Sequence, residues 1–189
     1  MTASLAEFRL PEFLCTAIFA AARDSVRGLR ARPPHGLTIG GEDNPYLRRW
    51  FITPRGEGPA VCLHQFLRDD DDRALHDHPW ASIGIILAGG YREMTPEGEQ
   101  LRQVGDVIYR LPEQRHRVVL HRDDAGRPKP AWTLFLTGTR VRDWGFWCPG
   151  AGGGERFVRW QDFTAGEHGE RVGRGCEAAG KEGGWCVSI

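Results

Sequence analysis

Between residues 11 and 30, apolar side chains recur at helical spacing: Phe13, Leu14, Ala17, Ile18 and Ala21. Pro11 sits where a first turn tolerates it, and Arg23, Arg27 and Arg30 gather near the end, where cations suit the helix dipole. The pattern predicts a helix that packs across the outside of the fold, with a dimer-forming helix as the alternative. After Arg32-Pro33-Pro34 the period changes. Short apolar runs at 46–53, 60–67, 82–87, 104–111, 115–121 and 131–137 read as strands. They are broken by Pro54-Arg55-Gly56, Ala88-Gly89-Gly90, Thr95-Pro96-Glu97-Gly98 and Asp123-Asp124-Ala125-Gly126. Several short strands at this spacing predict a mainly β, antiparallel sandwich or barrel. From Gly150 the chain turns glycine-rich, with 11 of its 25 glycines in the last 40 residues. Aromatics between 157 and 163 are expected to pack back onto the barrel, and the stretch from Gly173 to be irregular. The organisation read from this is an N-terminal helix and linker over 1–40, a barrel over 41–149 and an extension over 150–189.

Composition narrows the partners. With 40% hydrophobic and 26% charged residues the chain is an ordinary globular one. Its 25 basic and 25 acidic residues cancel, so it lacks the basic excess of a nucleic-acid binder. The apolar stretch 13–22 is too short to span a bilayer or serve as an export signal, and runs into Arg23 and Asp24. Cys15, Cys62, Cys148, Cys176 and Cys186 are odd in number and irregular in spacing, which predicts no disulfide framework. No Cys-x-x-Cys pair marks a second metal site among Cys148, Cys176 and Cys186. The expectation is a reducing, cytoplasmic compartment, no nucleic-acid or membrane partner, and room for a homodimer.

Chemistry concentrates in His76-Asp77-His78-Pro79-Trp80. Side chains two apart on an extended segment face the same way, so His76 and His78 can converge on one ion. Imidazole suits iron, zinc, copper and nickel. Pro79 fits a strand start or a bulge beside a site. His116 follows a strand–turn–strand pattern from Val104, and a closed barrel can bring it beside the pair.

These two clusters resemble the two motifs of the cupins. His76, His78 and Gly89 match the first motif, but Ser82 and Ile83 stand where its Glu is expected. Gly105 and His116 match the second, whereas Leu111 and Glu113 replace its Pro and Gly, with Pro112 displaced by one. The likeness covers about residues 60–137 and implies a cupin-type double-stranded β-helix with one divalent ion on His76, His78 and His116. Cupins with three His and no Glu resemble the thiol dioxygenases, which use ferrous iron and molecular oxygen. The stretch from Pro45 to Trp147 is also similar to bacterial and phage cupin-domain proteins of undefined activity.

Other residues take roles around that ion. Asp77 faces away from the histidines, towards solvent or in support of them. Ser82 shares their side by parity and is a candidate to contact a bound water. Cys62, His64 and Phe66 share one strand face, which makes His64 a cavity residue or fourth ligand. Glu57, Glu93 and Glu113 are the carboxylates that could otherwise complete the site. Tyr91 and Tyr109 are candidate proton donors. Arg110 is the arginine best placed to bind a carboxylate, since Arg115 and Arg117 face opposite to His116. Trp80 is assigned to substrate binding with His64 and Arg110. His35, His121 and His168 read as surface residues, Asp69 to Asp72 as a charged loop paired with Arg68 and Arg73, and Trp132, Trp144, Trp147 and Trp160 as core. Three neutral imidazoles leave open positions and an undiminished charge on the ion. The sequence therefore points to a non-haem iron oxygenase acting on a small polar molecule or short peptide. Zinc, nickel or manganese would instead support an isomerase or lyase, and a non-catalytic ligand- or metal-binding module is the third reading.

Overall fold

The structure, a computed structural model, describes residues 8–29, 36–41, 43–54, 58–70, 74–150, 153–166, 171 and 173–177. His35, Glu57, Arg73, His168 and Cys186, all named above, lie outside the described residues.

Thirteen strands and two α-helices are described, in the order β1 (Phe8–Arg9), α1 (Glu12–Leu29), β2 (Gly36–Ile39), β3 (Leu47–Phe51), β4 (Ala60–Phe66), β5 (Leu75–His76), β6 (Ser82–Ala88), β7 (Gly90–Thr95), β8 (Gly98–Gln103), β9 (Asp106–Arg110), β10 (Arg117–Leu120), β11 (Ala131–Thr137), β12 (Gly145–Pro149), β13 (Glu155–Arg159) and α2 (Trp160–Phe163). One sheet has the order β1-β9-β6-β11-β4-β3-β2; two three-stranded sheets, β10-β7-β8 and β13-β12-β5, make the opposite face. All pairings are antiparallel. The two smaller sheets meet where His76 and His116 exchange both backbone hydrogen bonds, each 2.9 Å. Between the faces lie Ile86, Ile108 and Ala131 from one side and Tyr91, Val118 and Leu120 from the other. This is a double-stranded β-helix barrel with an N-terminal helix: the strand pattern leaves sandwich or barrel open, and the motif resemblance implies this one.

The chain passes between faces at Gly89, between β6 and β7. Gly89 has φ +73°, and a Cβ there would lie 2.5 Å from the Pro130 carbonyl oxygen, so glycine answers both backbone handedness and space. Gly105, at φ +95°, makes an equally close approach to the Leu10 carbonyl beneath the entry to β9.

Helix α1 covers the outer face of the larger sheet. Its buried side is Cys15, Ile18, Phe19, Ala22 and Val26, packed on Leu63, Leu87, Trp50 and Trp132. Of the stripe expected from the sequence only Ile18 belongs to it, and Phe13 is 75% exposed. The helix is rotated because the sheet offers stacked indoles: Trp50 lies 5.7 Å from Trp132, which takes the ring of Phe19 at 5.1 Å.

The expected aromatic return of the C-terminal segment is present. Strand β13 pairs with β12, and Phe163 stacks on Phe146 with ring centroids 3.6 Å apart. Cys148, in β12, is disulfide-bonded to Cys176, in a 3-10 turn at Gly175–Glu177. This corrects the expectation of unbridged cysteines: the two are 28 residues apart in sequence and meet because α2 packs the chain back on β12. Cys15 and Cys62 are free and buried. No described helix is long and apolar enough to cross a membrane.

Candidate metal centre

A two-residue strand supplies the first of the three histidines. His76 in β5 is held on one side by β12, through Phe146, and on the other by the backbone of His116. The next residue turns its side chain the other way. Asp77 is fully buried and accepts hydrogen bonds from Gly145 N (2.9 Å), Trp147 Nε1 (3.0 Å) and Arg142 (2.8 Å). The solvent-facing option for Asp77 is therefore wrong, because β12 and Arg142 cover that side. His78 N donates to the Pro112 carbonyl at 3.1 Å, so residues 76 to 78 are fixed by main-chain bonds to both flanks.

The three histidines converge as their spacing implies. Their ligand nitrogens lie within 4.8 Å of one another, and among the described residues these three make the group able to hold a metal ion. His78 Nε2 is 2.9 Å from His116 Nε2, and the ring centroids of His76 lie 4.6 Å from His116 and 5.0 Å from His78. Burial holds His78 and His116 well below the usual imidazole range, and the charges of Arg110 and the neighbouring histidines add to it. Rings kept neutral with nitrogens aimed at one another are the state that a divalent ion requires of its ligands.

Carboxylates stand behind two of the rings. His76 Nδ1 is 3.6 Å from Asp70 Oδ2, and His116 Nδ1 is 2.8 Å from Glu93 Oε1. Asp70 also accepts from Val118 N at 2.8 Å, and Asp69 from Leu120 N at 2.8 Å, so half of the acidic run extends the hydrogen bonding of β10. Asp69 pairs with Arg122, not with Arg68, which lies over Tyr46 and donates to the Asn44 carbonyl; Asp71 and Asp72 lie outside the described residues. Supporting roles for Asp70 and Glu93 are not legible in the sequence. The one signal for Glu93 is its parity with Tyr91 on β7, which puts both on the interior side.

The other expected residues fall at different depths. Ser82 is buried on the interior face beside Arg110 in register, and its Oγ has no hydrogen-bond partner. Arg110 is buried too and pairs with Glu93. Trp80 stacks on His78, with centroids 4.9 Å apart, and meets Phe135 edge-on. His64 is 2% exposed, stacks on Phe135 at 4.8 Å, and accepts a hydrogen bond at Nε2 from Arg49 Nε at 2.9 Å. It stands outside the three-histidine group. Its neutral tautomer must carry the proton on Nδ1, since Nε2 accepts. Glu93 supports His116 from behind, and Glu113 is exposed, so neither joins the group.

One assignment needs correction. Tyr109 is 45% exposed and faces outward, because Ile108 and Arg110 take the interior positions of β9. Tyr91 is interior but packs among Ile86, Ile108, Val118 and Leu120, where burial raises its phenol further from ionisation. Arg110, Arg102 and Asp70 also act on that phenol, so its ring is held in the apolar core while its charge environment is that of the site. Arg115 pairs with Glu155 and covers Trp147, away from the cluster as expected.

No protein-family model matches the chain, and no curated protein matches it. Among solved structures it is similar to the DMSP lyase DddQ from Ruegeria pomeroyi DSS-3, at 15% identity and TM-score 0.47, over 75% of this chain and 82% of that one. FeII HppE is similar at 16% identity and TM-score 0.42, over 54% and 55%. An RmlC-like cupin from Ralstonia eutropha JMP134 is similar at 11% identity and TM-score 0.43, over 65% and 71%. Two antiparallel faces joined at His76 and His116, with a third histidine turned to the same point, make this chain a cupin-type double-stranded β-helix.

Proposed function

We propose that the protein is a mononuclear metal enzyme, with one divalent ion on His76, His78 and His116, that oxidises a small anionic molecule or short peptide. The observation that carries this reading is the composition of the group: three imidazoles, with ligand nitrogens within 4.8 Å of one another, and among the described residues no carboxylate that belongs to it. The ligands therefore offset none of the ion's charge. When bound, ferrous iron supplies redox chemistry with molecular oxygen as co-substrate.

The protein's own side chains favour an anion beside that centre. Arg110 and Arg49 are close enough to act on His78, and Arg110 and Arg102 on His116, so cationic groups stand within reach of an anion, two of them already paired with Glu93. Ser82 offers a buried hydroxyl that still needs a partner, which an oxygen of substrate or a water would provide. Trp80 and Phe135 wall one side of His78. His64, neutral and held by Arg49, serves as a hydrogen-bond donor through Nδ1 and not as a base at Nε2.

The test is to load ferrous iron anaerobically, add candidate thiols, amino acids or peptides, and follow oxygen uptake. Uptake that depends on substrate and disappears in His78→Ala, together with stoichiometric iron, is the expected result. Turnover that needs zinc or nickel and proceeds equally well without oxygen would move the protein to the lyase and isomerase class.

A further inference from the structure

We propose that Glu93 is the positioning residue of the three-histidine centre: it holds His116 by Nδ1, so that Nε2 is presented to the ion, and ties that ligand to Arg110. The inference rests on the metal reading above and extends it to a residue outside the ligand set.

Strand β7 brings Glu93 inward opposite Val118 of β10, two residues beyond His116. The carboxylate is 1% exposed, and burying it without partners would cost several kcal/mol. Its partners are all cationic or N–H groups. Oε2 accepts from Arg102 Nε at 2.7 Å; Oε1 faces both Arg110 and, at 2.8 Å, His116 Nδ1. The His116 ring N–H points off that line, so Nδ1 makes a close ionic approach to Glu93 and has no hydrogen-bond partner among the described residues. The distance is the more telling quantity, because a histidine ring turns about its terminal torsion at little cost. With Nδ1 facing a carboxylate, the neutral tautomer carries its proton there and leaves the Nε2 lone pair facing His78 Nε2.

A carboxylate with only a structural role would need Arg102 and Arg110 alone. The third contact, to a ligand ring, is what a positioning role requires, and partners of this kind fix ring orientation and raise ligand basicity. Because one oxygen serves both Arg110 and His116, the residue that balances the site's positive charge is also the one that aims its ligand.

Cobalt(II) titration, followed by visible absorption, tests the assignment without turnover. Removing Glu93 alone leaves the buried Arg110 without its carboxylate, so the decisive variant is Glu93→Met combined with Arg110→Met, compared with Arg110→Met by itself. The double variant should remain folded by circular dichroism, bind cobalt about ten- to a hundred-fold more weakly than the single variant, and show shifted absorption bands. Glu93→Gln, which keeps one acceptor, should fall between it and the wild type. Equal affinity and identical spectra in the single and double variants would overturn the positioning role while leaving the metal site standing. A wild-type protein that takes up no cobalt, iron or zinc would remove the metal reading itself, and this inference with it.

Discussion

Three histidines inside the barrel are depressed in basicity, and the largest cause is burial in each case. A histidine whose folded-state pKa is lowered binds fewer protons folded than unfolded, so acid favours the unfolded chain. The stability they contribute is complete above the unfolded value of about 6.5 and is lost as pH falls through the lower folded value. His64 isolates this effect, since it is not one of the three converging ligands. Metal-free protein should therefore show a falling urea midpoint between about pH 7.5 and about pH 5, and His64→Gln should flatten part of that fall. An identical slope in the variant would mean that His64 takes up its proton without strain.

Elements this short do not hold their own geometry. Strand β5 has two residues, yet it carries His76 and leads into His78, so its orientation comes from the neighbours that clamp it. Asp77 is the clamp on the side of β12, with two N–H donors and the Arg142 guanidinium converging on one buried carboxylate. Asp77→Ala would strand Gly145 N and Trp147 Nε1 and take the carboxylate from Arg142, at a cost of about 3 kcal/mol, the lower end for a broken buried pair because Arg142 keeps water and the His78 and Pro112 carbonyls. Urea unfolding measures that loss. Metal affinity should fall in the same variant, since His76 and His78 flank the lost anchor. Full metal affinity in a destabilised Asp77→Ala protein would show that the main-chain bonds to Pro112 and His116 suffice.

At the scale of the molecule, the segment after β12 is part of the fold. Phe163 is fully buried, and Cys148 and Cys176 link β12 to the last described turn. A cross-link closing a loop of 28 residues is worth about 3.6 kcal/mol through the unfolded state. The Cys148→Ala/Cys176→Ala protein should lose that much in urea, and reductant should lower the wild type to the same level. No effect of reductant on the wild type would show that the bond contributes nothing to stability in solution.

The sequence by itself determined the fold class, most of the barrel strands and the three histidines. Alternating apolar runs mark strands that bury one face, and a two-residue period places His76 and His78 on one side without reference to anything else. The strands it missed are those whose polar character hides the pattern, such as β8, with Glu99, Gln100, Arg102 and Gln103, or whose pairing alone defines them, such as β5. Tertiary structure alone decided which face of α1 is buried, because the sheet's stacked indoles chose it. It also decided that Tyr109 points outward, that Cys148 meets Cys176, and that Asp70, Asp77 and Glu93 stand behind the site. Each of these carboxylates has partners 40 or more residues away, or on a neighbouring strand whose register no local pattern records. A local period can say which way a side chain points, but only the packed neighbours decide what it meets there.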